Sequence, residues 1–150
     1  MSSPSIPHAC MVCKRLLEWN INRKKWQHQR PFPEYGDHEA IPAPAMEMDD
    51  VIYRCDFCSA DEIRYVVHVQ EFIFSRVICR EGDWGACGLC GTFLIADNWR
   101  GLFLQAKKID EERKNHRWSE ASSTRMWSMY DGIRTNVDGP IRQLAPGEAP

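Results

Sequence analysis

Three Cys-x-x-Cys pairs, Cys10–Cys13, Cys55–Cys58 and Cys87–Cys90, take up six of the seven cysteines of this 150-residue chain and restrict its possible folds more than any other feature. A Cys-x-x-Cys turn presents two sulfurs at the separation that a tetrahedral metal requires. Only Cys79 stands alone. The first eight residues, Met1 to His8, are polar with two prolines and do not read as a signal peptide. The expected compartment is therefore the cytoplasm, where thiols stay reduced and paired cysteines signal metal binding before disulfides. No apolar run approaches the length needed to span a bilayer, so no membrane association is expected.

The second and third pairs belong together. The 28 residues between Cys58 and Cys87 hold a stretch rich in β-branched and aromatic side chains, from Ile63 to Cys79, which reads as two short strands in a hairpin. The last pair leads directly into helical sequence. A knuckle, a hairpin and a helix whose first turn donates the last two ligands make a treble-clef-like arrangement, so Cys55, Cys58, Cys87 and Cys90 are expected to hold one zinc ion. Reduced core thiols or an iron–sulfur centre are the competing readings. The first pair has no second pair to complete it, so its partners must be imidazoles or it binds nothing. His28 and His38 are the best placed, in polar sequence that can fold back to the turn. His8 would need a tight reversal, and His68 falls inside a predicted strand. Nine residues separate His28 from His38, which is not the spacing of a DNA-reading finger.

Around these anchors the chain reads as α+β, built of small zinc-stapled modules with C-terminal helices. Residues 1–45 form an N-terminal zinc module. Residues 46–118 form the four-cysteine module with its following helix, and residues 119–150 a C-terminal helix with a flexible tail. Pro31-Phe-Pro33 and Ile41-Pro-Ala-Pro44 exclude helix and inner strand, leaving residues 31–50 extended or looped. Trp99, Leu102, Phe103, Ala106 and Ile109 recur at helical spacing, with Asp97 where an N-cap would sit. Met126, Met129, Tyr130 and Ile133 mark one face of a second helix from about Ser119 to Ile133. The last dozen residues, with Gly139-Pro140 and Pro146-Gly147, are expected to fray.

Two stretches carry a resemblance. Cys10-x-x-Cys13, Trp26-x-His28 and Asp37-His38-Glu39-Ala40-Ile41-Pro42 look like a pattern in small uncharacterised zinc-binding proteins of actinobacteria and their phages. Cys55-Asp56-Phe57-Cys58, Gly82-Asp83-Trp84, Ala86-Cys87, Cys90 and Leu94-Ile95 resemble a second module common in the same organisms. Together they cover about residues 8 to 105. The resemblance implies metal binding by the same eight ligands and implies no particular activity. Ala40-Ile41-Pro42 stands where proline-valine-proline is commoner.

Two zinc sites closed by four ligands each are structural, since a catalytic zinc keeps one position open. There is no His-Glu-x-x-His, no deaminase signature, no phosphate-binding glycine loop and no Gly-x-Ser-x-Gly elbow. Cys79 lies in strand-like sequence and reads as a buried thiol. An enzyme and a small-molecule substrate are not expected. Zinc instead compensates for modules too small to hold themselves together, with Phe57 and Trp84 shielding the metal. The function expected is recognition, as a protein-binding adaptor or regulator, a phage protein acting on host machinery being one form of it.

The alternative is a nucleic-acid-binding regulator. The formal net charge is only −2, but Lys14–Arg30 holds six basic residues and one acid, while Glu34–Glu62 holds nine acids and one base. Arg23, Lys24 and Lys25, joined by Lys107 and Lys108 in the first long helix, are the candidate phosphate contacts.

Overall fold

The computed structural model describes residues 6–29, 38–146 and 148–150. It is mixed α+β, with three α-helices, three two-stranded sheets and one three-stranded sheet among the described residues. The chain divides into two compact units, Met1–Tyr53 and Arg54–Pro150. The segment 31–37, including Pro31 and Pro33, lies outside the described residues.

In the first unit, β1 (His8–Cys10) pairs antiparallel with β4 (Pro42–Pro44), and β2 (Leu17–Asn20) with β3 (Lys25–His28). Two prolines confine β4 to a two-stranded edge, because neither can donate to a further strand. The β2–β3 turn is built by Asn20, whose Oδ1 accepts from the backbone N–H groups of Asn22 (3.0 Å) and Arg23 (2.9 Å). The left-handed Lys24 (φ 52°) completes the reversal. This register sets Trp19 opposite Trp26, with ring centroids 5.4 Å apart, edge to face. The unit extends past residue 45 because Asp50 and Ile52 are tied back to it. Ile52 N–H donates to Lys14 O at 2.7 Å, and Lys14 Nζ lies 3.7 Å from Asp50.

In the second unit the central strand is β5 (Tyr65–Val69). Val66, Val67 and Val69 are all buried, so the alternation of a one-sided strand is absent. The hairpin expected over residues 63–79 resolves differently. β6 (Phe72–Phe74) and β7 (Val77–Cys79) form the hairpin, turning through left-handed Ser75 and Arg76, while β5 takes β8 (Gly82–Ala86) as its long antiparallel partner. The other edge of β5 is covered by β9 (Arg142–Gln143), with Tyr65 opposite Gln143 and Val66 opposite Arg142. Arg142 and Gln143 of the tail are thereby paired to β5. An open central edge leaves backbone groups that this short strand satisfies, and Leu144 is buried beside it, its N–H on Arg64 O at 2.7 Å.

Three helices follow: α1 (Gly88–Ile95), α2 (Trp99–Lys114) and α3 (Glu120–Thr135). The N-cap of α2 is Asn98, whose Oδ1 accepts from Gly101 N–H at 2.9 Å, and not Asp97. The link from α1 needs one left-handed residue; Asp97 takes it (φ 53°), and the cap passes to its neighbour. Ser119 caps α3 through Ser122 N–H at 3.1 Å. The helical stripes face inward as their spacing predicts. Trp99, Leu102, Phe103, Ala106, Tyr130 and Ile133 join Val67, Val69 and Leu94 in one core. Phe103 sits at its centre, its ring centroid 5.5 Å from those of both Trp127 and Tyr130.

Candidate metal centres

Each unit carries one group of four possible metal ligands: Cys10, Cys13, His28 and His38 in the first, and Cys55, Cys58, Cys87 and Cys90 in the second. Within each group the four ligand atoms lie within 4.8 Å of one another, so each group could hold a metal ion.

The two leading Cys-x-x-Cys turns are the same backbone device. In the first, Cys10 N–H donates to Arg15 O (2.9 Å) and Lys14 N–H to Cys10 O (2.8 Å). In the second, Cys55 N–H donates to Ala60 O (2.8 Å) and Ser59 N–H to Cys55 O (3.0 Å). The residue after the second cysteine is left-handed in both, Lys14 at φ 66° and Ser59 at φ 67°. A non-glycine residue at positive φ costs free energy that the surrounding contacts must offset, and here it turns both sulfurs to one side.

The first group is completed from two directions. His28 ends β3, which corrects the expectation that it lies in a loop, and His38 lies outside any regular element just before β4. Their Nε2 atoms face each other at 3.1 Å, with the rings edge to face, and His38 Nε2 is 3.4 Å from Cys10 Sγ. Three polar atoms converging on one point is an arrangement that a single shared proton does not satisfy and a cation does. Burial pushes the Cys10 thiol up, but the backbone groups of Cys13, Ile41 and Val12, helped by His28, outweigh it and bring it down to about 6. That lowering favours the thiolate, the form that binds metal. The two histidines set aside have other work. His8 stacks on Trp26 with centroids 4.3 Å apart and bonds Ile6 O through Nδ1 at 2.8 Å. His68, in β5, is held between Asp83 (Nδ1, 2.8 Å) and Glu81 (Nε2, 2.9 Å), and those two carboxylates raise its pKa.

The second group is fully buried. Cys87 is the N-cap of α1 and Cys90 lies in its first turn, where the Cys90 N–H reaches Cys87 Sγ at 3.5 Å. Cys58 Sγ and Cys87 Sγ are 3.5 Å apart. Asp56, inside the knuckle, does what no spacing argument foresees. Its N–H donates to Gly85 O (2.9 Å) and its Oδ2 accepts from Gly85 N–H (2.7 Å). That pair of bonds fastens the knuckle to β8, two residues before Cys87, and so brings the two halves of the ligand set together. The thiols share protons among themselves. Hydrogen bonding to Cys58 lowers Cys55 to about 7, and hydrogen bonding to Cys55 lowers Cys87, while Cys58 and Cys90 are raised. Four thiolates cannot coexist at this spacing without a positive charge among them. Phe57, expected with Trp84 to shield the metal, is buried, with ring centroids 6.0 Å from Trp84, 6.4 Å from Trp99 and 5.8 Å from Tyr130, and Trp84 is half-buried.

The candidate phosphate contacts fall in different units. Arg23 and Lys24 form the β2–β3 turn and Lys25 opens β3, all three exposed. Lys107 and Lys108 are on α2, the first half-buried and the second exposed. Cys79, expected as a buried thiol, is only partly buried, because it ends a two-stranded hairpin instead of an inner strand. Among the described residues no helix is long and apolar enough to cross a membrane. Comparisons with protein-family models, curated proteins and solved structures find no match to this chain.

Proposed function

We propose that both groups bind zinc and that the chain is a zinc-stapled, non-enzymatic recognition module, a protein-binding adaptor or regulator. The donor sets support zinc. With zinc–sulfur bonds of about 2.3 Å and zinc–nitrogen bonds of about 2.0–2.1 Å, a regular tetrahedron has edges of about 3.8 Å (S–S), 3.6 Å (S–N) and 3.3 Å (N–N). One pair of each kind lies here at 3.5 Å (Cys58–Cys87), 3.4 Å (Cys10–His38) and 3.1 Å (His28–His38), with every ligand pair within 4.8 Å. Cys87 at a helix N-cap after a knuckle and hairpin supports a treble-clef-like second module. The resemblance to actinobacterial and phage zinc proteins supports metal binding by the same eight residues.

Four protein ligands leave each metal no open position, so the work falls to the surface. The observation that carries the adaptor reading is the β6–β7 hairpin. Ile73 and Ile78 are directly opposite across it and 70% and 57% exposed, with Val77 beside them 46% exposed. An apolar cross-strand pair so far out of the core contributes little to folding and much to a contact. The test is copurification of tagged protein from its native host, compared with an Ile73→Ser/Ile78→Ser variant of unchanged metal content. The expected result is a protein partner retained by the parent and lost by the variant. Nucleic acid as the only associated material would refute the adaptor reading.

The nucleic-acid reading keeps one specific support, three consecutive cations at the exposed tip of the β2–β3 ribbon. Trp19 and Trp26 count against it, because they pack on each other, Trp26 is also stacked on His8, and neither is an open platform for bases.

A further inference from the structure

A cleft of about 580 Å³ opens between the knuckle of the second candidate metal centre, the C-terminal part of α2, the link after it and α3 from Ser122 to Tyr130. Its size is that of a ligand site. The floor is apolar and aromatic: Phe57, Ala106, Trp118, Met126, Met129 and Tyr130. Two thioethers among aromatic rings make a floor that adapts its shape to what enters.

The rim is charged, and its charges are unequally satisfied. Asp110 accepts from the indole N–H of Trp118 at 2.7 Å and pairs with Lys114 at 3.3 Å. Asp56 is occupied by Gly85 N–H and lies under the field of Arg54. The rim hydroxyls of Ser119 and Ser122 bond each other at 3.0 Å. The side chains of Arg117 and His116 are the exception. Both are exposed, both line the cleft, and neither makes a hydrogen bond or ion pair among the described residues. Both carboxylates are therefore already partnered, and the surplus capacity of the rim is that of donors and positive charge.

We propose that this cleft binds a short segment of a partner protein in which a bulky apolar side chain is followed or preceded by an acidic residue. The apolar side chain fills the floor over Phe57 and Met129, and the carboxylate meets the guanidinium of Arg117. The inference rests on the adaptor reading but uses a different surface from the β6–β7 hairpin. It also assigns the metal a reason for being where it is, since the Cys55–Cys58 knuckle supplies Phe57 to the floor of the cleft.

The test is selection of short random peptides on the full, metal-loaded chain, followed by fluorescence polarisation with the best synthetic binder. Arg117→Glu and Ser122→Trp are the variants, both at exposed positions, with metal content and melting temperature as controls. Selected peptides should share a Trp, Phe, Leu or Met adjacent to Asp or Glu. Changing that acid to Lys should weaken binding to the parent about two- to fivefold, the range of an exposed ion pair. The same change should strengthen binding to Arg117→Glu. Ser122→Trp, which lays an indole over the cleft, should cost more than an order of magnitude. Peptides that bind the parent and both variants alike would overturn the cleft while leaving the adaptor reading intact. A selection that returns no such peptides, from a protein that binds duplex DNA instead, would overturn both.

Discussion

Two glycines in one helix should respond to alanine with opposite signs. Gly88 and Gly91 both lie in α1, and helix propensity alone favours alanine at each by up to about 1 kcal/mol. A Cβ at Gly88 would make ordinary contacts, 3.5 Å to Arg64 Cδ and to Glu62 Oε1. A Cβ at Gly91 would fall inside the Tyr65 ring, overlapping Cδ2 and lying 2.8 Å from Cγ. Overpacking of this kind costs about 1–3 kcal/mol. The half-buried Tyr65 ring must also leave, forfeiting about 1 kcal/mol more of burial. Against the propensity gain, Gly91→Ala should destabilise by about 1–3 kcal/mol and lower the melting temperature by about 5–20 °C in a unit of this size. Gly88→Ala should raise it by a few degrees. The assay is thermal unfolding at saturating zinc in a double-mutant cycle with Tyr65→Ala. In that background Gly91→Ala should become neutral or stabilising, because the clash is gone. If Gly91→Ala is destabilising by the same amount with and without Tyr65, the reasoning fails. The cost would then arise at the candidate ligand next door, Cys90.

Elemental analysis should find two zinc ions per chain; His38→Ala should lose one and still unfold cooperatively, whereas Cys58→Ser should abolish cooperative unfolding of the second unit, whose knuckle and helix supply its four candidate ligands. His68→Gln tests the clamp by Asp83 and Glu81. The raised pKa means that the charged ring contributes stability in full below the ordinary histidine value near 6.5 and loses it as pH rises through the folded value. The melting-temperature gap between parent and variant should therefore be widest under mildly acid conditions and close at alkaline pH; a gap that widens with pH would contradict the clamp. If the β2–β3 tip binds phosphates, replacing Arg23, Lys24 and Lys25 by glutamine should flatten the log–log salt dependence of binding by about 0.7–0.9 per lost contact. Absence of any binding at low salt would dispose of the nucleic-acid reading.

The sequence by itself determined what short-range chemistry can encode. The six paired cysteines of the two candidate metal groups were legible from spacing, because a Cys-x-x-Cys turn is a local backbone device and the same one appears at Cys10 and Cys55, whereas His28 and His38 were reached by elimination and sequence context. The buried faces of α2 and α3 were legible from their 3.6-residue period. Tertiary structure alone decided which strands pair and what closes the sheet. Nothing local in Tyr65–Val69 says that it prefers Gly82–Ala86 to the nearer Phe72–Phe74, or that Arg142–Gln143 will return to its open edge. Such pairings are settled by the global competition to bury Val67 and Val69 and to satisfy every backbone group. The cap at Asn98 was missed for a similar reason, since it depends on where α1 releases the chain. Asp56 is the clearest case. In the sequence it is one acid in an acidic stretch, and only the approach of Gly85 makes it the fastening that joins two distant cysteine pairs into one site.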